Sequence, residues 1–320
     1  MNRRTLLGAL ALAPLSRPAL AQSWPPRPVR IVVPFAPGSF TDVSARLLAN
    51  ELTGQLGQQT IVENRTGAGG TVGATAVVRA EPDGTTLLLT DNSLAISPGL
   101  YRNLPYDPLK DLAQISRIAN SPSILLLRPG LGPKTVAELV AYAKSRPGEV
   151  TFGSGGQGSS AHLAMELLLN VADIRALHVP FRGVAAAIAD VIAGRVDMAI
   201  ASLASGVRHV TAGTLLGLGV TGEQRSPLLP EVPTFIEAGL PRYDMSYWWG
   251  IAAPAATPPD IIARLNREIV QACAQPGLRE AFEKQAATAV TSTPEEMARF
   301  VEREIGVWRE VIARAGVRIE

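Results

Sequence analysis

Val29-Arg30-Ile31-Val32-Val33-Pro34-Phe35-Ala36-Pro37-Gly38-Ser39-Phe40-Thr41-Asp42 is the stretch on which the fold turns. Its first five residues, β-branched except for Arg30, read as a buried parallel strand that Pro34 ends. Beyond the loop, Val43, Leu47, Leu48 and Leu52 fall on one helical face, and Ser39 or Thr41 is placed to cap that helix. A second strand is expected over 60–63, then the turn Gly67-Ala68-Gly69-Gly70, an Ala/Val helix to about Arg79, the turn Pro82-Asp83-Gly84 and a third strand over 85–90. Strand and helix in alternation predict a parallel α/β sheet.

The same order recurs downstream. A strand over 149–152 leads into Gly153-Ser154-Gly155-Gly156-Gln157-Gly158-Ser159-Ser160 and a helix over 161–169. A strand over 176–179, the turn Pro180-Phe181-Arg182-Gly183, a helix over 184–193 and a strand over 198–201 follow. Two lobes of one construction are implied, although the halves share too few identities to form a sequence repeat. Thr135-Val136-Ala137-Glu138 and Thr234-Phe235-Ile236-Glu237 have capping-box spacing and predict further helices. Thr257-Pro258-Pro259-Asp260 and Thr293-Pro294-Glu295-Glu296 each set a capping Thr before a proline, which predicts two long C-terminal helices. A helical tail cannot build its own α/β lobe, so it is expected to return to the first. The expected division is 1–21 signal peptide, 22–122 first part of lobe one, 123–245 lobe two and 246–320 return to lobe one.

The 320 residues suffice for two lobes at about 100–200 residues per domain. With 47% hydrophobic and 18% charged residues, the chain is neither disordered nor collagen-like nor a coiled coil. Arg3, Arg4 and Arg17 lie in the first 21 residues, which hold no acid, and removing them leaves 27 basic against 28 acidic residues. That balance excludes a nucleic-acid footprint. Arg3-Arg4, the apolar run over 6–15 and Ala19-Leu20-Ala21 read as a signal peptide for export, with cleavage expected near Ala21. An ordinary secretory signal is the reading, with a twin-arginine signal as the alternative. Cys273, the one cysteine, cannot form an internal bridge and reads as a buried helical residue. His162, His178 and His209 show no metal spacing, so no metal and no cofactor are expected.

Two loops carry the functional signal, 35–42 and 153–160. Each joins a strand's carboxyl end to a helix start, where free N–H groups and the helix dipole favour an anion. If the lobes face each other, both helix starts converge on one cleft suited to a small carboxylate. Arg182, beside Gly183, is a candidate cation near that cleft or a solvated loop arginine; Ser202 and Ser205 reach a ligand or cap the next helix. His162, with Glu166 four residues on, lines the cleft or is satisfied by its neighbours. Tyr243, Tyr247, Trp248 and Trp249 form either a ligand wall or a packed interlobe segment. Two enzymatic alternatives stay open: a secreted hydrolase using Ser159 or Ser160 with His162, and a dinucleotide-binding oxidoreductase built on Gly153, Gly155 and Gly158. Against the first, no G-x-S-x-G elbow is present. Against the second, Asp173 precedes the following strand instead of ending it.

In this order the motifs resemble the Bug family of periplasmic solute-binding proteins, receptors of tripartite tricarboxylate transporters. The likeness is carried by 31–38 with Asp42, Val62-Glu63-Asn64-Arg65 with 67–70, Pro82-Asp83-Gly84, Leu104-Pro105-Tyr106-Asp107-Pro108 and 153–160 with His162. It continues through Val179-Pro180-Phe181-Arg182-Gly183, Leu229-Pro230-Glu231-Val232-Pro233-Thr234, residues 252–258 and Trp308. The resemblance implies a type II, two-lobe Venus-flytrap binding protein with a mixed, mostly parallel sheet in each lobe. It implies a monomeric, non-enzymatic receptor that delivers a small carboxylate to membrane permease subunits or a sensor. By position it points to Pro37, Gly38, Ser39, Phe40, Thr41, Asp42, Ser154, Gly155, Gly156, Ser159, Ser160 and His162, to which the loop reading adds Arg182, Gly183 and Ser202. Ser39 and Thr66 stand where the family usually has glycine and proline, and Ala201-Ser202 where many members have an acidic or amide residue. These departures border the cleft and leave the ligand open among mono-, di- and tricarboxylates, amino acids, aromatic acids and amides.

Overall fold

The computed structural model describes residues 24–315. The expected signal peptide, 1–21, lies outside the described residues. The first half runs β1 (Val29–Val33), α1 (Phe40–Leu56), β2 (Thr60–Asn64), α2 (Thr71–Val78), β3 (Thr86–Asp91) and α3 (Asn92–Leu100). A long strand, β4 (Leu112–Leu127), leads into α4 (Val136–Ser145), β5 (Thr151–Ser154), α5 (Ser160–Ala172), β6 (Leu177–Pro180), α6 (Val184–Ile192), β7 (Met198–Ser202), α7 (Leu203–Thr211) and β8 (Leu216–Val220). The chain closes with β9 (Ser246–Pro254), α8 (Pro259–Ala274), α9 (Pro276–Glu283), β10 (Thr288–Ala289) and α10 (Pro294–Ala315).

Strand order is β2-β1-β3-β9-β4-β7-β5-β6, with β8 and β10 also paired to β4. The two halves match. β2-β1-β3 and β6-β5-β7 are each parallel with the first strand of the half in the middle, and each is flanked by an antiparallel strand, β9 or β4. β4 serves both halves: Leu112 to Pro122 pair with β9, and Ser123 to Leu127 pair with β7. β1 is apolar apart from Arg30 because helices cover both faces of the sheet, and Val29, Ile31 and Val33 are completely buried. α8 packs on α1 and β4, and α10 on α3 and β4, so the tail covers the first half. Trp308 and Cys273 belong to that core, and burial pushes the Cys273 thiol up to about 12.

Several expectations are corrected. Thr234 and Glu237 do form a reciprocal capping box, with Thr234 N–H donating to Glu237 Oε2 at 2.7 Å. No helix follows, because Gly239 turns at φ +85° and Pro241 lies just beyond. Thr257 does not cap α8; Pro258 holds that position and the Thr257 hydroxyl is buried without a partner. The strand expected at 149–152 begins two residues later, since Gly148 at φ +81° keeps Glu149 in a turn. The C-terminal region has three helices, Pro276 starting the additional one.

Gly250 sits where β9 passes under α10, and a Cβ there would stand 2.5 Å from Met297 Cε and 3.0 Å from the Ser116 carbonyl oxygen. Gly250→Val is expected to cost about 1–3 kcal/mol by overpacking, read as a lower urea midpoint at unchanged slope.

Candidate functional site

Five helices begin around one cavity. Ser39 caps α1, its Oγ accepting from the Asp42 N–H at 3.4 Å; Ser159 caps α5 through the His162 N–H at 3.3 Å; Ser202 caps α7 through the Ser205 N–H at 3.2 Å. Asp91 caps α3, accepting from the Ser93 N–H at 2.9 Å, and Gly183 precedes α6 with no side-chain cap. Each start follows the carboxyl end of a parallel strand, so the two lobes aim their helix N-termini at one another. First-turn N–H groups lack a helical acceptor, and each dipole places about half a positive charge there. The cavity lining contains Ser39, Thr41, Ser159, Ser160, Ser202 and Ser205, but no lysine, arginine or histidine. Phe35, Tyr247 and Trp249 supply its aromatic wall, and Trp249 Nε1 donates to Thr41 Oγ1 at 3.0 Å.

The lobes touch around this space. Phe40 N–H donates to Ser205 Oγ at 3.3 Å. A Cβ on Gly183 would lie 3.4 Å from Ala36 Cβ, and one on Gly69 would lie 2.7 Å from the Gln157 carbonyl oxygen. Glycine at these points is what lets the backbones approach.

The expected site residues divide into groups. Ser39, Thr41, Gly155, Ser159, Ser160 and Ser202 line the cavity. The others do not. Pro37 and Gly38 are exposed on the first loop, Gly38 at φ +96°. The Phe40 ring belongs to the core, meeting Trp249 and Phe282 edge-on at 4.5 and 5.3 Å between centroids. Asp42 shapes the loop from behind, accepting from Arg46 Nη2 and Asn64 Nδ2 at 2.9 Å and from the Gly38 N–H at 3.3 Å. Burial works to raise its pKa, but these bonds outweigh burial and hold it below the usual carboxylate value. Gly156 turns the second loop at φ +121°, and Gly183 meets the opposite lobe. Arg182 is exposed and outside the lining.

Ser154 and His162 support the second loop. Ser154 Oγ is 2.6 Å from His178 Nε2, and His162 Nδ1 accepts from the Gly158 N–H at 3.1 Å. The two imidazoles stack at 3.9 Å between centroids, and His162 Nε2 lies 3.6 Å from Glu166. Neither Ser159 nor Ser160 is hydrogen-bonded to the His162 ring. Asp173 caps the far end of α5 and pairs with Lys144 at 3.8 Å, away from the loop a dinucleotide would occupy.

Asp91 was not foreseen, because no helix was expected after the third strand. Asp91-Asn92-Ser93 after a buried strand was the available signal. Burial pushes the Asp91 carboxyl up to about 6, against the hydrogen bonds from Ser93. Tyr247 and Trp249, two residues apart on one face of β9, line the cavity, whereas Trp248 faces the other way and donates to Glu304 Oε2 at 3.1 Å. The aromatic segment is therefore both a cavity wall and a packed strand.

Burial, then the charge of neighbouring His162, lowers His178 from 6.5 to about 4. A histidine held neutral in the fold contributes stability above pH 6.5 that is lost as pH falls toward 4. Solvent screens part of this half-buried ring, so the loss is on the order of 1–2 kcal/mol. Calorimetry between these pH values is expected to show it in the wild type, with His178→Gln lacking that component.

The profile of the TctC family, described as Tripartite tricarboxylate transporter family receptor, matches residues 44–317. Protein BugT of Bordetella pertussis (strain Tohama I) is 37% identical over 326 residues, covering 100% of both chains. The structure of periplasmic binding protein BugD superimposes with a TM-score of 0.89 at 31% identity, over 93% of this chain and 100% of that one. R. palustris Rpa4515 with adipate gives 0.88 at 33% identity, over 92% and 99%. A matching profile over most of the chain, a full-length relative and two lobes closing on a shared cavity make this protein a member of the tripartite tricarboxylate transporter receptor family, with the fold of periplasmic binding proteins.

Proposed function

We propose that this protein is a periplasmic, monomeric, non-enzymatic receptor that captures a small carboxylated metabolite between its lobes and delivers it to a tripartite tricarboxylate-type permease or a sensor. The observation that carries this reading is the meeting of five helix N-termini at one cavity whose lining holds six serine and threonine residues and no basic side chain. Such a wall offers partial positive charge and directed donors, and a carboxylate needs both. Adipate in Rpa4515 supports the ligand class. The family membership supports the export and the transporter partner. Among the described residues no helix is long and apolar enough to cross a membrane, which is compatible with a receptor separate from its permease.

The lobes in this reading are 24–122 with 246–315, and 123–245. The pairing of β4 supports those boundaries, since it passes from β9 to β7 between Pro122 and Ser123. Ligand capture is then a population shift, and the acid must bind the closed form more tightly than the open one.

A thermal-shift screen against a carboxylate library is expected to raise Tm for selected acids by mass action; no shift with any acid would sink the reading. Gly69 is outside the cavity but its α-carbon nears Gln157 across the gap, at φ +61°. Gly69→Ala is expected to weaken ligand affinity about tenfold or more by opposing closure, measured by titration calorimetry. Because Arg182 is exposed, Arg182→Ala and added salt are both expected to leave affinity within about threefold.

A further inference from the structure

Helix starts account for an anion in this cavity but not for two groups in its wall. Asp91 presents a carboxyl group there, and Tyr247 Oη is buried with no hydrogen-bond partner in the protein. Both residues are firmly placed. Asp91 ends β3 and pairs in register with Trp249, and Tyr247 lies two residues back along β9, on the same face. The Tyr247 and Trp249 rings stack at 6.2 Å between centroids. Asp91 is 4% exposed and Tyr247 5%, so both are largely withdrawn from bulk water.

The Asp91 carboxyl uses one oxygen within the protein. Oδ1 accepts both the Ser93 N–H, at 2.9 Å, and the Ser93 hydroxyl, at 2.5 Å. The cavity lining supplies no lysine, arginine or histidine to neutralise the carboxyl. A second carboxylate placed against the ionised carboxyl would meet like charge in a poorly solvated space. A ligand with a donor at that end would satisfy it, and buried groups built to bond a donor discriminate strongly against molecules that lack one.

We propose that the occupant is a carboxylate that also carries a hydrogen-bond donor, an amino, amide or hydroxyl group, and that Asp91 Oδ2 accepts from this donor while Tyr247 Oη bonds the same end of the molecule. The free carboxylate of the ligand then lies at the serine-capped helix starts. This inference rests on the receptor reading above and names the substrate class within it. Asp91 becomes a specificity-determining residue, separating plain dicarboxylates from acids of the same length that bear a donor.

Titration calorimetry on the mature protein tests it with succinate against aspartate, asparagine and malate, and glutarate against glutamate as the longer pair. The wild type is expected to bind at least one donor-bearing acid about tenfold or more tightly than the plain acid of equal length. Asp91→Asn keeps a side-chain oxygen for the α3 cap and is expected to reduce that preference to about threefold or less. Tyr247→Phe, which removes only Oη, is expected to weaken the preferred acid several-fold, with the unfolding temperature of the free protein reporting that each variant is folded. Equal or tighter binding of the plain acids by the wild type, or a preference that survives intact in folded Asp91→Asn, overturns the inference and leaves carboxylate capture standing. Binding of no carboxylate at all overturns the receptor reading and this inference together. The amino, amide and hydroxyl arms identify which donor is read.

Discussion

Peptide N–H groups in the first turn of a helix have no carbonyl of their own helix to take them, and the architecture of this protein gathers five such turns at one place. Serine hydroxyls occupy part of that donor capacity at Ser39, Ser159 and Ser202. The remainder, with the aligned dipoles behind it, creates a positive potential without any basic side chain in the lining. Dipole-based recognition has a structural requirement, since a backbone donor can be moved only by moving its helix. In the proposed reading the lobes act as rigid carriers of these helix starts, and the approach between them is the adjustable element.

Rigidity comes from the sheet. In each half a parallel trio of strands is sealed by an antiparallel strand, β9 in one and β4 in the other, and β4 joins both by changing partners between Pro122 and Ser123. Strands that pass straight through a core fix the helix starts on either side, and β4 is the strand the two halves share. The C-terminal helices α8 and α10 cover the first half and bury Trp308 and Cys273 beneath them. Approach across the gap is limited by backbone, not by long side chains. Gly69, facing the Gln157 carbonyl, and Gly183, facing Ala36, mark where the halves come closest.

Much of this was legible in the sequence because it rests on local rules. β1, with its apolar β-branched run, and α1, with its serine cap, stand where their residues place them, and so do the repeat of that pattern at β5 to β7 and the proline that opens α10. The failures are equally local in origin. Thr234 and Glu237 make the capping box their spacing promises, yet Gly239 ends the turn before a helix can propagate. Asp91-Asn92-Ser93 carries only a short capping signal after a buried strand, too little to predict α3 or a carboxyl group in the cavity wall. Loop residues were the least legible: Gly38, Asp42 and Arg182 share their loops with Ser39 and Gly183, but only the direction of the backbone separates lining from support and from solvent.

By itself the sequence determined the α/β alternation, the doubling of one construction and the chemistry of the helix starts, because hydrophobic period and capping residues act over a few positions along the chain. Tertiary structure alone decided that Tyr247 and Trp249 face the cavity while Trp248 faces away, that Asp91 joins them from another strand, and that Phe40 belongs to the core. Those outcomes depend on register between β3 and β9 and on how closely two lobes approach. Both are set by packing between residues far apart in the chain, and no local pattern encodes them.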